Sequence, residues 1–130
     1  MEKNKLYIIS LISFLFIHFS YGQDKLNLGV IGLVHDHVNW ILNYKSENIK
    51  IVGIVEKNIN AINRYKKSYN LPDSIFFDSM NDLYNKRKVD AVTAFNSTYD
   101  HLKVVKFFAP KGIHIMVEKP LSVNYEIAKE

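Results

Sequence analysis

Five short apolar runs, each followed by a stretch with helical spacing and none joined to the next by a hairpin turn, constrain this chain most. Leu26–Ile31 is apolar, partly β-branched and ends at Gly32, the pattern of a buried strand running into a tight turn. Ile49–Val55 repeats the pattern, 75–77 is a short third strand, and 89–95 is a fourth whose composition suits burial on both faces. A fifth covers 113–118. Strands that alternate with helices have room for crossovers, so the economical arrangement is a parallel sheet covered on both faces.

The intervening stretches carry helix signals. Val38, Ile41 and Leu42 form one apolar stripe, with Asp36 placed to cap the first turn. Asn58 is placed to cap a helix carrying Ile59, Ile62, Tyr65 and Tyr69, and Leu71-Pro72 stops it because the residue before proline disfavours helical backbone. Ser79 caps a brief helix with Met80, Leu83 and Tyr84. A helix over 99–108 is expected to pack through Leu102, Val105 and Ala109, with Gly112 turning the chain into the fifth strand. A last helix starts near Asn124. The fold class is therefore α/β, a doubly wound parallel sheet of the Rossmann-like kind.

Residues 1–22 read as a segment outside that fold. Lys3 and Lys5 precede a 14-residue apolar stretch over 6–19, and Ser20-Tyr21-Gly22 offers small residues where a signal peptidase reads. The stretch is shorter than the roughly 20 residues of a membrane-spanning helix. Cleavage after Gly22, export to the periplasm or the medium, and no lasting membrane span are the expectations. The remaining residues 23–130 are expected to form one domain. With no cysteine the chain has neither a disulfide framework nor a thiolate metal or redox site. Its net charge of +4 is spread among acids, and the one basic run, Lys86-Arg87-Lys88, suits a helix C-terminus, so no nucleic-acid partner is expected.

In such a sheet ligands bind beyond the carboxyl ends of the strands. There the first strand runs into Gly32-Leu33-Val34-His35-Asp36-His37, which keeps only the first glycine of the G-x-G-x-x-G turn that cradles a pyrophosphate. Val34 and His37 stand where the second and third glycines would be, and His35 or His37 can offer a hydrogen bond to an anion. Glu56, 24 residues after Gly32, ends the second strand near the offset at which an acid meets the adenosine ribose. An acid there repels a 2′-phosphate and so favours NAD over NADP. His35-x-His37 has ligand-like spacing, but no third and fourth ligand follows at a defined interval, so no metal site is expected. His101 is placed to face the crevice or to make a local hydrogen bond, and His114 lies inside a strand as a structural residue. Glu118-Lys119-Pro120, at the end of the fifth strand, sets a lysine beside a carboxylate, where it can orient a hydroxyl or move a proton.

Taken in order, Leu28-Gly29-Val30-Ile31-Gly32-Leu33, Val52-Gly53-Ile54-Val55-Glu56, Asp90-Ala91-Val92, the segment 96–101 and Lys111 through Leu121 resemble the N-terminal domain of the Gfo/Idh/MocA-type oxidoreductases. The resemblance implies that Lys119 is the active-site lysine. It also implies that Gly32, Val34 and His35 of the first turn, Glu56, Asn96 and His101, and Glu118 and Pro120 beside the lysine surround a nicotinamide dinucleotide. Family members commonly move a hydride between NAD(P) and a sugar, polyol or related hydroxyl compound.

The family's second, C-terminal α/β domain has no counterpart in these 130 residues, so the chain reads as a truncated piece that does not turn over substrate alone. Oligomers are expected only with that domain. Two other readings share the residues: a domain of a glycosidase that retains its NAD, and a non-catalytic nucleotide- or sugar-binding remnant.

Overall fold

The computed structural model describes residues 24–130; the leader expected over 1–22 lies outside them. The chain runs β1 (Leu26–Ile31), α1 (Val38–Asn43), β2 (Ile49–Val55), α2 (Ile59–Tyr69), β3 (Phe76–Phe77), α3 (Met80–Lys86), β4 (Ala91–Ala94), α4 (His101–Phe108), β5 (His114–Val117) and α5 (Tyr125–Ala128). All pairings are parallel, in the order β3-β2-β1-β4-β5. The chain builds outward from β1 to β3, then returns to β4 on the other side, so the order reverses between β1 and β4. A doubly wound sheet binds its ligands at such a reversal.

Alternation along the strands sends apolar side chains to both faces. Val30 and Ile54 join Leu33, Val38, Tyr65 and Phe95 under α1 and α2, whereas Ile31, Val92 and Ala94 join Phe77, Leu83, Val104 and Phe108 under α3 and α4. The α3 layer lies so close to the sheet that a Cβ on Gly53 would sit 2.2 Å from Leu83 Cδ1 and 2.7 Å from the Phe77 ring.

The helix caps read from the sequence mostly form. The Asn58 side chain accepts from the amides of Asn60 and Ala61, that of Ser79 from Asp82, and that of Asn124 from Ile127. Asp36 does not cap α1 through its carboxylate. Its backbone carbonyl takes the Asn39 amide at 3.0 Å, while His35 Nδ1 takes the His37 amide at 3.2 Å. The helix over 99–108 has the expected period but a different phase. It buries His101, Val104 and Phe108 rather than Leu102, Val105 and Ala109. The reason is His101, whose Nδ1 bonds the carbonyls of Pro120 (3.1 Å) and Leu121 (3.3 Å) and so turns that side inward. Three strands are shorter than read, because Ile75 belongs to a 3₁₀ turn and the fourth and fifth runs leave the ladder at both ends.

At the opposite edge of the sheet Asp90 fastens β1 to β4. One carboxylate oxygen accepts from the Asn27 amide at 2.8 Å and from Asn27 Nδ2 at 2.7 Å. These two bonds, backbone first, with Lys88 adding charge, hold Asp90 below the ordinary aspartate range against the opposing effect of burial.

Two consequences are measurable. Gly53→Ala overpacks the sheet–α3 contact and lowers stability by about 1–3 kcal/mol, read as a fall of about 4–8 °C in Tm per kcal/mol. Because Asp90 is more acidic folded than unfolded, its contribution is complete above the ordinary aspartate pKa and is lost as pH falls through about 4 and below. Asp90→Asn lowers Tm at neutral pH and flattens the acid limb of stability against pH; an acid limb identical to the parent's would remove that role.

Candidate functional site

Parallel pairing brings every strand's carboxyl end to one edge. The chain leaving each strand is then tied to the strand alongside: Gly32 N bonds Val55 O (2.8 Å), Phe95 N bonds Ile31 O (2.8 Å), Glu56 N bonds Phe77 O (3.2 Å) and Glu118 N bonds Ala94 O (3.0 Å). The residues singled out after the strands of the sequence therefore gather on one rim.

Gly32 shapes the rim. Its φ is +83°, and a Cβ there would lie 2.6 Å from Asn96 Cα, so a side chain meets both the left-handed backbone and the neighbouring turn. The turn then leans onto the end of β4, with the amides of Val34 and His35 both on Phe95 O at 3.1 and 3.0 Å. Glu56 braces it from the β2 side. Its Oε2 accepts the Leu33 amide at 2.8 Å, and its Oε1 accepts the amides of Lys57 and Asn58 at 2.8 and 2.9 Å. Among residues 33–40 every amide except that of Asp36 has an internal acceptor.

A cleft of about 410 Å³ opens between the turns after β1, β2, β3 and β4. Gly32, Val34, Glu56 and Asn96 line it, as expected of a ligand site on this rim. Val34, 68% exposed, borders the cleft without filling it. Asn96 Oδ1 is buried with no partner, an acceptor left for a donor that enters. Sequence reasoning missed Lys57, Asp78, Asp100 and Lys103 on the same lining. Their signal was position alone, each just after a strand or at the start of the helix that follows.

The remaining expected site residues collect at the β5 end. His37 Nδ1 lies 2.6 Å from Glu118 Oε2, and His35 Nδ1 lies 3.8 Å from the same oxygen. The Trp40 ring stacks on His37 at 3.9 Å, and the two imidazoles meet edge-on at 4.3 Å. Glu118 is only 11% exposed; its other oxygen accepts the Lys119 amide at 2.9 Å. The His37 hydrogen bond, helped by the Lys119 amide and the histidine charges, holds the Glu118 carboxyl below the usual glutamate range against the effect of burial. Lys119 Nζ stands 4.0 Å from Glu118 Oε1 on a side chain 79% exposed, outside the cleft lining. His101 is 1% exposed and, with Pro120 O as its acceptor, ties α4 to the segment after β5 instead of lining the cleft. His114 is exposed on β5.

A model of an oxidoreductase family with an NAD-binding Rossmann fold matches residues 26–130. No curated protein matches the chain in sequence. Among solved structures, the chain is similar to a putative NADPH-dependent oxidoreductase from Desulfitobacterium hafniense, with 26% identity and a TM-score of 0.66 over 81% of this chain and 30% of that one. It also resembles myo-inositol 2-dehydrogenase from Lactobacillus plantarum, with 20% identity and a TM-score of 0.66 over 80% of this chain and 31% of that one. The WlbA dehydrogenase from Bordetella pertussis, solved with NADH and UDP-GlcNAcA, aligns at 21% identity and a TM-score of 0.68 over 82% and 31%. The chain thus spans about 30% of the length of these structures. With a parallel sheet reversing at β1 and β4, a glycine turn at that reversal and a family match over all five strands, the chain belongs to the Gfo/Idh/MocA oxidoreductases, as their NAD-binding Rossmann domain.

Proposed function

We propose that residues 23–130 form the cofactor domain of an exported oxidoreductase that moves a hydride between NAD and a sugar, polyol or related hydroxyl compound. The observation that carries this reading is Glu56, held by three backbone amides at the end of β2 with its carboxylate on the cleft beside Gly32 and Asn96. After the Leu33 amide, Oε2 keeps a lone pair with which to accept from a ribose hydroxyl. The same charge disfavours a 2′-phosphate, which is why NAD is preferred here to NADP. Bound there, the dinucleotide supplies a hydride acceptor. Lys119, whose exposed amino group stands beside the Glu118 carboxylate, orients the substrate hydroxyl and, as the neutral amine, accepts its proton when the hydride leaves. The basic start and apolar stretch of residues 1–22 support export.

A second reading, a module that binds nucleotide or sugar without turnover, draws on one observation: nearly all amides of the turn after β1 already serve internal acceptors. A pyrophosphate in that turn must compete with them.

Thermal melts with each nucleotide test the cofactor assignment. Millimolar NAD raises Tm and NADP raises it less, and Glu56→Ala abolishes the difference by weakening NAD alone. If neither nucleotide moves Tm, the cofactor assignment falls. In hydroxyl-dependent NAD reduction by this domain joined to a C-terminal domain of the family, Lys119→Ala lowers kcat by about 10²–10⁴-fold while the Kd for NAD stays within about twofold. An unchanged kcat removes Lys119 from the chemistry, and nucleotide binding with no turnover of any sugar or polyol even by that joined chain favours the second reading.

A further inference from the structure

The geometry points to a divalent transition-metal site formed by His35, His37 and Glu118, at the β5 end of the rim and outside the cleft. One ligand atom from each of the three residues lies within 4.8 Å of the others. The two histidines come from the turn after β1. The carboxylate comes from the end of β5, 81 residues beyond His37, and is brought there by the parallel pairing of β4 with both β1 and β5.

Three features distinguish this cluster from a chance meeting of polar side chains. Its donor set, two imidazoles and one carboxylate, matches ions such as Zn²⁺, Co²⁺ or Fe²⁺ bound by three protein ligands with further positions open. Its atoms lie near ligating distance, and one partner must be exchanged: His35 Nδ1 gives up the His37 amide, at 3.2 Å, for the ion. Ligand atoms around a tetrahedral ion of this kind are about 3.3 Å apart, since each bond is about 2.0–2.1 Å, and here the two histidine Nδ1 atoms lie 2.6 and 3.8 Å from the same Glu118 oxygen. A cation would take the place of the proton that now bridges His37 and Glu118.

Outer contacts also hold the donors in place. Trp40 stacks on His37, and the Lys119 amide holds the Glu118 oxygen that is not shared with the histidines. The nearest cation, Lys119 Nζ, stands 4.0 Å from that second oxygen and leaves the first to the histidines. The open positions of a bound ion would take oxygen ligands, a hydroxyl or a phosphate, next to Lys119. Nucleotide binding plays no part in this assignment, so the metal is titrated without nucleotide.

Titration of the full chain with Co²⁺ and Zn²⁺ near neutral pH, followed by calorimetry, Tm and the visible absorption of Co²⁺, tests the site. One ion per chain is expected, with a rise in Tm and a Co²⁺ spectrum of nitrogen and oxygen ligation. His35→Ala and His37→Ala each weaken binding by at least about tenfold. Glu118→Gln, which keeps the side-chain shape and an acceptor for the Lys119 amide, does the same, whereas His114→Ala leaves binding unchanged. Melts without metal establish that each variant is folded. The double variant His35→Ala with His37→Ala keeps His18, His101 and His114, so one ion still bound there at parental affinity would overturn the assignment. So would the absence of any binding by the parent chain.

Discussion

A glycine without a side chain at position 32 lets the turn after β1 lie against Asn96 at the end of β4, and the organisation of the rim follows from that contact. With the turn seated there, the amides of Val34 and His35 reach Phe95 O, the Leu33 amide reaches Glu56, and the chain points His35 and His37 toward β5. A Cβ at Gly32 would have to displace backbone atoms, which cannot yield as a flexible side chain can. The energetic weight at this position lies in the approach of two backbones, and the hydrogen bonds of the rim are built on it.

The rim has two poles with different chemistry. Toward β2, the cleft is lined by Glu56, Asn96 and the turns after β3 and β4, which suits a polar ligand that donates hydrogen bonds. Toward β5, two imidazoles converge on a nearly buried carboxylate whose neighbour in sequence is an exposed lysine. His37, standing where a dinucleotide turn often has its third glycine, belongs to the second pole. One of the two substitutions that distinguish this turn from the usual motif thus couples the turn after β1 to the end of β5.

Strand and helix positions were legible because burial dictates them locally. The apolar runs at β1 and β2 and the caps at Asn58, Ser79 and Asn124 carry their signal within a few residues. The phase of α4 was not legible. Its period is visible in either register, and the choice rests on carbonyls at Pro120 and Leu121, nineteen and twenty residues away, that satisfy His101 inside the protein. Asp36 likewise looked like a cap because its residue type favours one, yet the turn imposed by Gly32 brings its carbonyl, not its carboxylate, to the helix.

The order of elements, the parallel sheet, the glycine turn, Glu56 at the end of β2 and Lys119 at the end of β5 were determined by the sequence itself, since each depends on residue type and short-range spacing. The partners of those residues were decided by the tertiary structure alone. His37 finds Glu118 across 81 residues, and Glu56 finds Leu33 across 23, because the register of parallel strands sets which carboxyl ends lie side by side. No local pattern encodes that register; it follows from packing both faces of the sheet at once.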